Sequence, residues 1–374
     1  MDNGPRGRRR RFGYFGPVRS PQVPEQHYIE RHPEPERTPI QNKPDLANPQ
    51  KGSPLYDGRI PPEIRNSIFQ FALTEDITTP YEVDKGYARP GYKGKKKVNT
   101  ALLQTCRQVY LETYHLPAAN KEHVFWHPPE SGPHGRFYQD RHGWEREKEM
   151  FTRRMMSWQL ELVKEIHLFT QEFWLEQSFS QFCDENFMRG IEKIKITIRR
   201  CDWWWNERNH PLAINPYSGT ADTAQMIRAI IASKDEGNET PIQWNMEGWG
   251  GAFAKLPSLK EVEIELETSE DKVDELVAIV EWAKGWKFPL KNGKVLSTAG
   301  VETRGVQMWQ SPKCFWSEIC PYCWGYKQCI GADPPNEKCE ERMRLHDLSL
   351  GPVCSVYSLR WKPVDDVAKE REEH

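Results

Sequence analysis

The sequence predicts a mixed fold, α/β or α+β, and three observations carry that expectation. First, Val163-Lys164-Glu165-Ile166-His167-Leu168, Ile191-Glu192-Lys193-Ile194-Lys195-Ile196 and Leu259-Lys260-Glu261-Val262-Glu263-Ile264 repeat one alternating pattern. A period of two is that of a strand with one face buried and the other in water. Second, stretches with helical spacing separate these segments, which favours parallel pairing. Third, a pair of amphipathic helical stretches precedes the first of the three repeats.

Residues 1–57 are rich in Pro, Arg, Gln and Glu and nearly lack aliphatic side chains, so disorder is expected there. The basic cluster at 6–11 reads either as a nuclear-localisation or RNA-contacting arm or as a solvated tail, the second being the more common case. Pro61 and Pro62 then open a helix, because proline fits a first turn whose N–H groups have no partner anyway. Ile64, Ile68, Ala72 and Leu73 follow at helical spacing, with Phe69 and Phe71 widening the stripe. An insert over 74–98, basic at 93–97, leads to a second helix behind Asn99, with Leu102, Leu103, Cys106, Val109 and Tyr110 on one side. Pro117 is its expected stop, and 120–126 reads as a short extended run. His127, His134 and His142 fit no standard metal spacing and read as surface residues of a polar loop.

Residues 150–310 form an irregular α/β region in this reading. Helices are expected over 173–187, 220–232 and 271–284, the last with Val273, Leu276, Val277 and Val280 on one face, and a fourth strand over 301–309. The loose L-x-x-V/I-x-I pattern also fits a degenerate leucine-rich-repeat-like array. Its uneven spacing and missing asparagine ladder favour a small α/β domain over a solenoid. Trp203, Trp204, Trp205, Trp244 and Trp249 either anchor a partner or cover the ends of the core, and an aliphatic-poor chain favours the core.

The stretch I-P-P-E-I-R-x-x-I-F-x-x-A-L over 60–73, followed by L-L-Q-T-C-R-Q-V-Y-x-E over 102–112, resembles the F-box-like domain of large families of filamentous-fungal proteins. Pro61, Glu63, Ile64, Ile68 and Phe69 match its opening, and Cys106, Arg107 and Gln108 match the start of a later helix. The F-box-like region spans 58–127, and its insert at 74–98 is longer than the tight connection of an ordinary F-box. The resemblance implies that Ile60, Pro61, Ile64 and Ile68 dock a Skp-type adaptor of a cullin ubiquitin ligase, while the α/β region holds a protein target whose identity is unknown. The alternative is a scaffold or zinc-stabilised interaction module in which the same helices are core.

Residues 311–361 form a Cys-rich segment with few aliphatic residues, and 362–374 a charged tail. Cys320 and Cys323 have the C-x-x-C spacing that presents two thiolates to one tetrahedral zinc. Cys314, Cys329, Cys339 and His346 are the candidates for the other two ligands, against the alternative of unmetallated packing thiols. A formal charge of −2 argues against a nucleic-acid partner. With no apolar leader and no membrane-length apolar run, the expected setting is intracellular, nucleus or cytoplasm being open. The nine cysteines then read as thiols or metal ligands rather than disulfides. The chain contains no G-x-S-x-G, G-x-x-x-x-G-K, H-E-x-x-H or dinucleotide-binding pattern, so no enzyme is expected.

Overall fold

A computed structural model describes residues 50–76, 89–90, 92, 97–127, 155–204, 210–218, 248–291, 293–302, 305–312 and 350–365, with 224, 226–228 and 230–231 in a helical stretch. Helix α1 (Pro62–Ala72) begins behind Pro61 as its two prolines require, and Leu73 closes it by donating its N–H to Phe69 O. Two-residue strands β1 (Glu75–Asp76) and β2 (Lys97–Val98) pair antiparallel across the insert.

The second helix is interrupted. A 3-10 turn, Ala101–Gln104, starts where Asn99 Oδ1 accepts the Ala101 N–H at 3.0 Å. Cys106 then turns extended, and its Sγ accepts from Val109 N at 3.5 Å, capping α2 (Arg107–Thr113). Pro117 does not end this helix. It lies in the first turn of α3 (Leu116–Ala119), where proline is tolerated for the reason it opens α1.

These elements share a small core of Phe69, Leu73, Val109 and Leu116, flanked by Leu55, Tyr56, Leu102, Leu103 and Cys106. Residues 50–57, which composition puts in the disordered tail, are instead part of the fold. Leu55 and Tyr56 supply apolar surface to the core, and Leu55 O accepts from Arg65 Nη1 at 3.1 Å. Residues 1–49 lie outside the described residues.

The three alternating segments are strands, joined by one before them. β3 (Glu122–His127), β4 (Glu165–Thr170), β5 (Lys193–Ile198) and β6 (Glu261–Ser269) pair in parallel, in that order. Helix α4 (Ser157–Glu161) precedes β4. The single helix expected over 173–187 is two short ones, α5 (Glu172–Gln177) and α6 (Phe179–Phe182), meeting at Ser178, followed by a 3-10 turn at Asn186–Gly190. Helix α7 (Val273–Ala283) follows β6 and buries Leu276, Ile279, Val280, Trp282 and Ala283. Val277 is exposed, so the buried face is turned away from the one the spacing predicts, toward Ile279 and Trp282.

Strands β7 (Phe288–Pro289), β8 (Lys294–Ser297), β9 (Gln307–Pro312) and β10 (Leu350–Asp365) complete an eight-stranded mixed sheet of order β3-β4-β5-β6-β10-β8-β7, with β9 also on β10. β10 runs antiparallel to β6 from Cys354↔Ser269 to Trp361↔Val262, and its far edge takes β9 along its first half and β8 along its second. The arrangement is one open sheet rather than a stack of repeats. Boundaries expected after 127, 310 and 361 cut through it, since β3 belongs to the sheet and β9 and β10 cross the other two.

One face of the sheet is apolar. Phe125, Ile166, Leu168, Ile194, Ile196, Val262, Ile264, Leu359 and Trp361 bury there against α5, α6 and α7. Trp203 and Trp249 are part of this core, while Trp205 and Trp244 lie outside the described residues. Among the described residues no helix is long and apolar enough to cross a membrane.

Candidate functional site

Three residues of the stretches that carry the F-box-like resemblance, Arg65, Gln108 and Glu112, meet between α1 and α2. Arg65, from P-P-E-I-R, places Nε 2.9 Å from Oε2 of Glu112, the last residue of C-R-Q-V-Y-x-E. Gln108 Nε2 donates to the other oxygen of Glu112 at 2.7 Å, and the Arg65 guanidinium lies over the Tyr56 ring at 4.7 Å. Burial and the nearby Glu112 carboxylate push the Tyr56 hydroxyl up to about 12, so it stays protonated at neutral pH. The spacing of the second motif thus has a local cause: a cap at Cys106, then two polar side chains one turn apart that fix Glu112 for Arg65.

Helix α1 carries apolar side chains on two sides. Phe69 and Leu73 are buried in the small core, whereas Ile64 is 54% exposed, Ile68 42% and Phe71 87%. Pro61 is exposed and Ile60 half-buried. The residues of α1 assigned to a partner are therefore open to solvent, while Phe69 and Leu73, which spacing puts in the same stripe, turn into the core shared with α2.

Cys314, Cys320, Cys323, Cys329, Cys339 and His346 lie outside the described residues. Cys354 is described and sits buried in β10, where burial raises its thiol pKa far above the ordinary range. Among the described residues no group of His, Cys, Asp and Glu is placed to hold a metal ion.

The second face of the sheet departs from expectation. Alternation predicts a solvated polar side, yet β4, β5 and β6 are buried on both faces after their first residue. The buried polar side is an ion-pair network laid out by register. His167, Lys195, Glu263 and Arg360 are lateral neighbours across four strands, as are Phe169, Thr197, Glu265 and Ser358. Lys195 Nζ is 2.8 Å from Glu265 Oε1, and Thr197 Oγ1 donates to Glu265 Oε2 at 2.8 Å. His167 Nε2 meets Thr197 Oγ1 at 2.8 Å, and its Nδ1 is 3.3 Å from Glu122 Oε1, an ion-pair distance without hydrogen-bond alignment.

Because the Thr197 hydroxyl gives its proton to Glu265, Nε2 of His167 must be the donor in that contact. Burial lowers the His167 pKa, against the opposing pull of Glu122. Nothing in this geometry draws the hydroxyl proton toward the imidazole, as activating Thr197 for attack would require. Glu263 is held below the ordinary carboxylate range: burial raises it, but Lys195, the Ser358 hydroxyl at 3.0 Å and Arg360 outweigh that. The signal for this network was present in the sequence as opposite charges at matching places in successive repeats, Lys195 against Glu263.

His127 is not a surface residue. It ends β3 fully buried, stacked on Trp174 with ring centroids 4.1 Å apart, and burial lowers its pKa to about 3. His134 and His142 lie outside the described residues.

Comparison with known proteins returned no match: no family model fits the chain, and no curated protein or solved structure is significantly similar to it.

Proposed function

We propose that the chain is a protein–protein interaction module whose helix α1 docks a Skp-type adaptor of a cullin ubiquitin ligase through Ile60, Pro61, Ile64 and Ile68, leaving the α/β region to hold a protein target. The observation that carries this reading is the exposure of Ile64 and Ile68 on a helix already anchored by Phe69 and Leu73. A helix needs one buried side to fold, and an additional apolar side in water is the usual mark of a docking face. The scaffold alternative draws on the other half of that observation, since α1 is also part of a core.

The test separates the two sides. Ile64→Glu with Ile68→Glu in the tagged full chain should abolish capture of the purified adaptor, because each change puts an unpaired charge into an apolar contact. The melting temperature should stay within a few degrees of the wild type. Phe69→Ala or Leu73→Ala should instead cost roughly 2–5 kcal/mol of stability. A folded double-glutamate variant that still holds the adaptor, or a wild-type chain that never binds it, would refute the reading.

Zinc belongs to the same proposal, held by Cys320 and Cys323 with two of Cys314, Cys329, Cys339 and His346. It would order a segment poor in aliphatic side chains. Elemental analysis should find about one zinc per chain, lost in Cys320→Ser, Cys323→Ser. A metal-free wild type with an undiminished melting temperature would sink the idea.

A further inference from the structure

The insert at 74–98 is more than a long connection, because two of its residues reach the polar face of the sheet. Arg89 and Tyr92 exchange backbone hydrogen bonds, N to O at 2.8 Å and 2.9 Å, which closes a tight turn around Pro90. The turn delivers two side chains. Arg89 Nη2 comes within 2.7 Å of Glu267 Oε2, and its guanidinium carbon lies 5.9 Å from the centre of the Phe169 ring and 6.0 Å from that of Trp309. Tyr92 sets its ring edge-on to Phe169 at 4.9 Å, Trp126 at 5.7 Å and His167 at 5.9 Å.

The receiving side is built by strands. Phe169, Trp126, Glu267 and Trp309 come from β4, β3, β6 and β9, and Trp126 stacks flat on Phe169 at 4.0 Å. Trp309 Nε1 and the Arg200 N–H orient the Glu267 carboxylate at 3.0 Å and 3.1 Å. The result is a carboxylate flanked by aromatic rings, which suits a guanidinium beside an aromatic side chain.

The weak point of the delivered side is the Arg89 guanidinium, since Tyr92 is well packed among Trp126, Phe169 and His167. Arg89 is buried, yet none of Nε, Nη1 and Nη2 makes a hydrogen bond among the described residues, the approach of Nη2 to Glu267 being an ion pair without hydrogen-bond alignment. A guanidinium with unused donors in a dry site is a costly occupant. Among the described residues the insert's flanks are tied together by the two-residue ribbon β1/β2, and so short a ribbon is marginal on its own.

We propose that this recess of the sheet face is a recognition site for an arginine-plus-aromatic turn of a partner protein, and that Arg89 and Tyr92 occupy it as a competitor carried in the same chain. The inference deepens the target-holding part of the proposed function and is independent of adaptor docking by α1. A partner that offers the same two groups, with the guanidinium fully hydrogen-bonded, displaces the turn.

The probe is a fluorescein-labelled peptide with the sequence of residues 86–94, titrated into the full chain without adaptor and read by anisotropy. Emptying the recess with Arg89→Ala, Tyr92→Ala should tighten peptide binding roughly tenfold over the wild type, and adding Glu267→Gln should remove that gain. A folded double variant that binds no tighter, or tighter binding indifferent to Glu267, overturns the proposal. On the wild type, saturating peptide should speed hydrogen exchange at the Arg89 and Tyr92 amides roughly tenfold while leaving β5 unchanged. Unchanged exchange at those two amides overturns it whether or not the variants fold. Because no adaptor is present, failure here leaves the reading of Ile64 and Ile68 standing.

Discussion

His127 and Glu172 sit near one another in the fold, with the Gln171 N–H donating to His127 O at 3.0 Å, and they tilt stability in opposite directions with pH. Neither ring nitrogen of His127 has a partner among the described residues, and burial holds its pKa near 3 against an ordinary 6.5. Between those values the unfolded chain holds one proton more than the folded one. The contribution is therefore whole above the ordinary value and is lost as pH falls, by up to about 1.4 kcal/mol per unit. In Glu172, burial and then repulsion from Glu176 raise the carboxyl well above its ordinary range. Its contribution is whole below the ordinary carboxylate value and is lost as pH rises. Urea unfolding followed from about pH 4 to about pH 9 should show His127→Phe flattening the acid limb while keeping the stack on Trp174. Glu172→Gln should add stability at neutral pH and flatten the alkaline limb. Parallel curves for wild type and His127→Phe would count against a buried neutral ring. The sequence does not place His127 inside, because its cover is Trp174, beyond the next strand in the chain.

Along single elements, what could be read depended on whether the cause was local. The helix α1 and its apolar positions follow from spacing within one element, but the division of that stripe, Phe69 and Leu73 inward and Ile64 and Ile68 outward, is set by where α2 packs. The break before α2 was not legible, since cysteine is an uncommon cap and nothing else marks Cys106 as one. Polar alternation in β4, β5 and β6 was legible, but burial of the polar side was not. Its cover includes Arg89 and Tyr92, from a basic insert that composition alone marks as solvated. The helix pair offers a direct energetic check. Arg65 and Glu112 are 15% and 22% exposed, which places their ion pair between a surface pair and a buried one. A double-mutant cycle with Arg65→Met and Glu112→Gln should give a coupling of about 1 kcal/mol in urea unfolding. A coupling indistinguishable from zero would mean that the pair orders the motif without stabilising it.

At the level of the whole molecule, the edges of the fold lie elsewhere than composition places them. The helical core begins at Leu55, so a chain starting at Gln50 should melt with the full chain, while one starting at Gly58 should lose several degrees. Removing Leu55 and Tyr56 uncovers Phe69 and Leu73 and strips Arg65 of one acceptor. Equal melting temperatures for the two truncations would contradict this core. The mixed sheet has a further consequence, for the order in which it is made on the ribosome. β6 is parallel to a strand made before it and antiparallel to β10, and residues 270–349 must be synthesised between the two. At ordinary elongation rates one edge of β6 stays open for on the order of ten seconds. β6 carries Glu263, Glu265 and Glu267 at alternate positions; Lys195 and Thr197 already stand beside Glu265, but Glu263 gains Ser358 and Arg360, and Glu267 gains Trp309, only when that synthesis is done. Two nascent copies meeting edge to edge in register would set carboxylate against carboxylate. The same acids that the finished sheet pairs would thus disfavour that encounter until each chain's own last strand arrives.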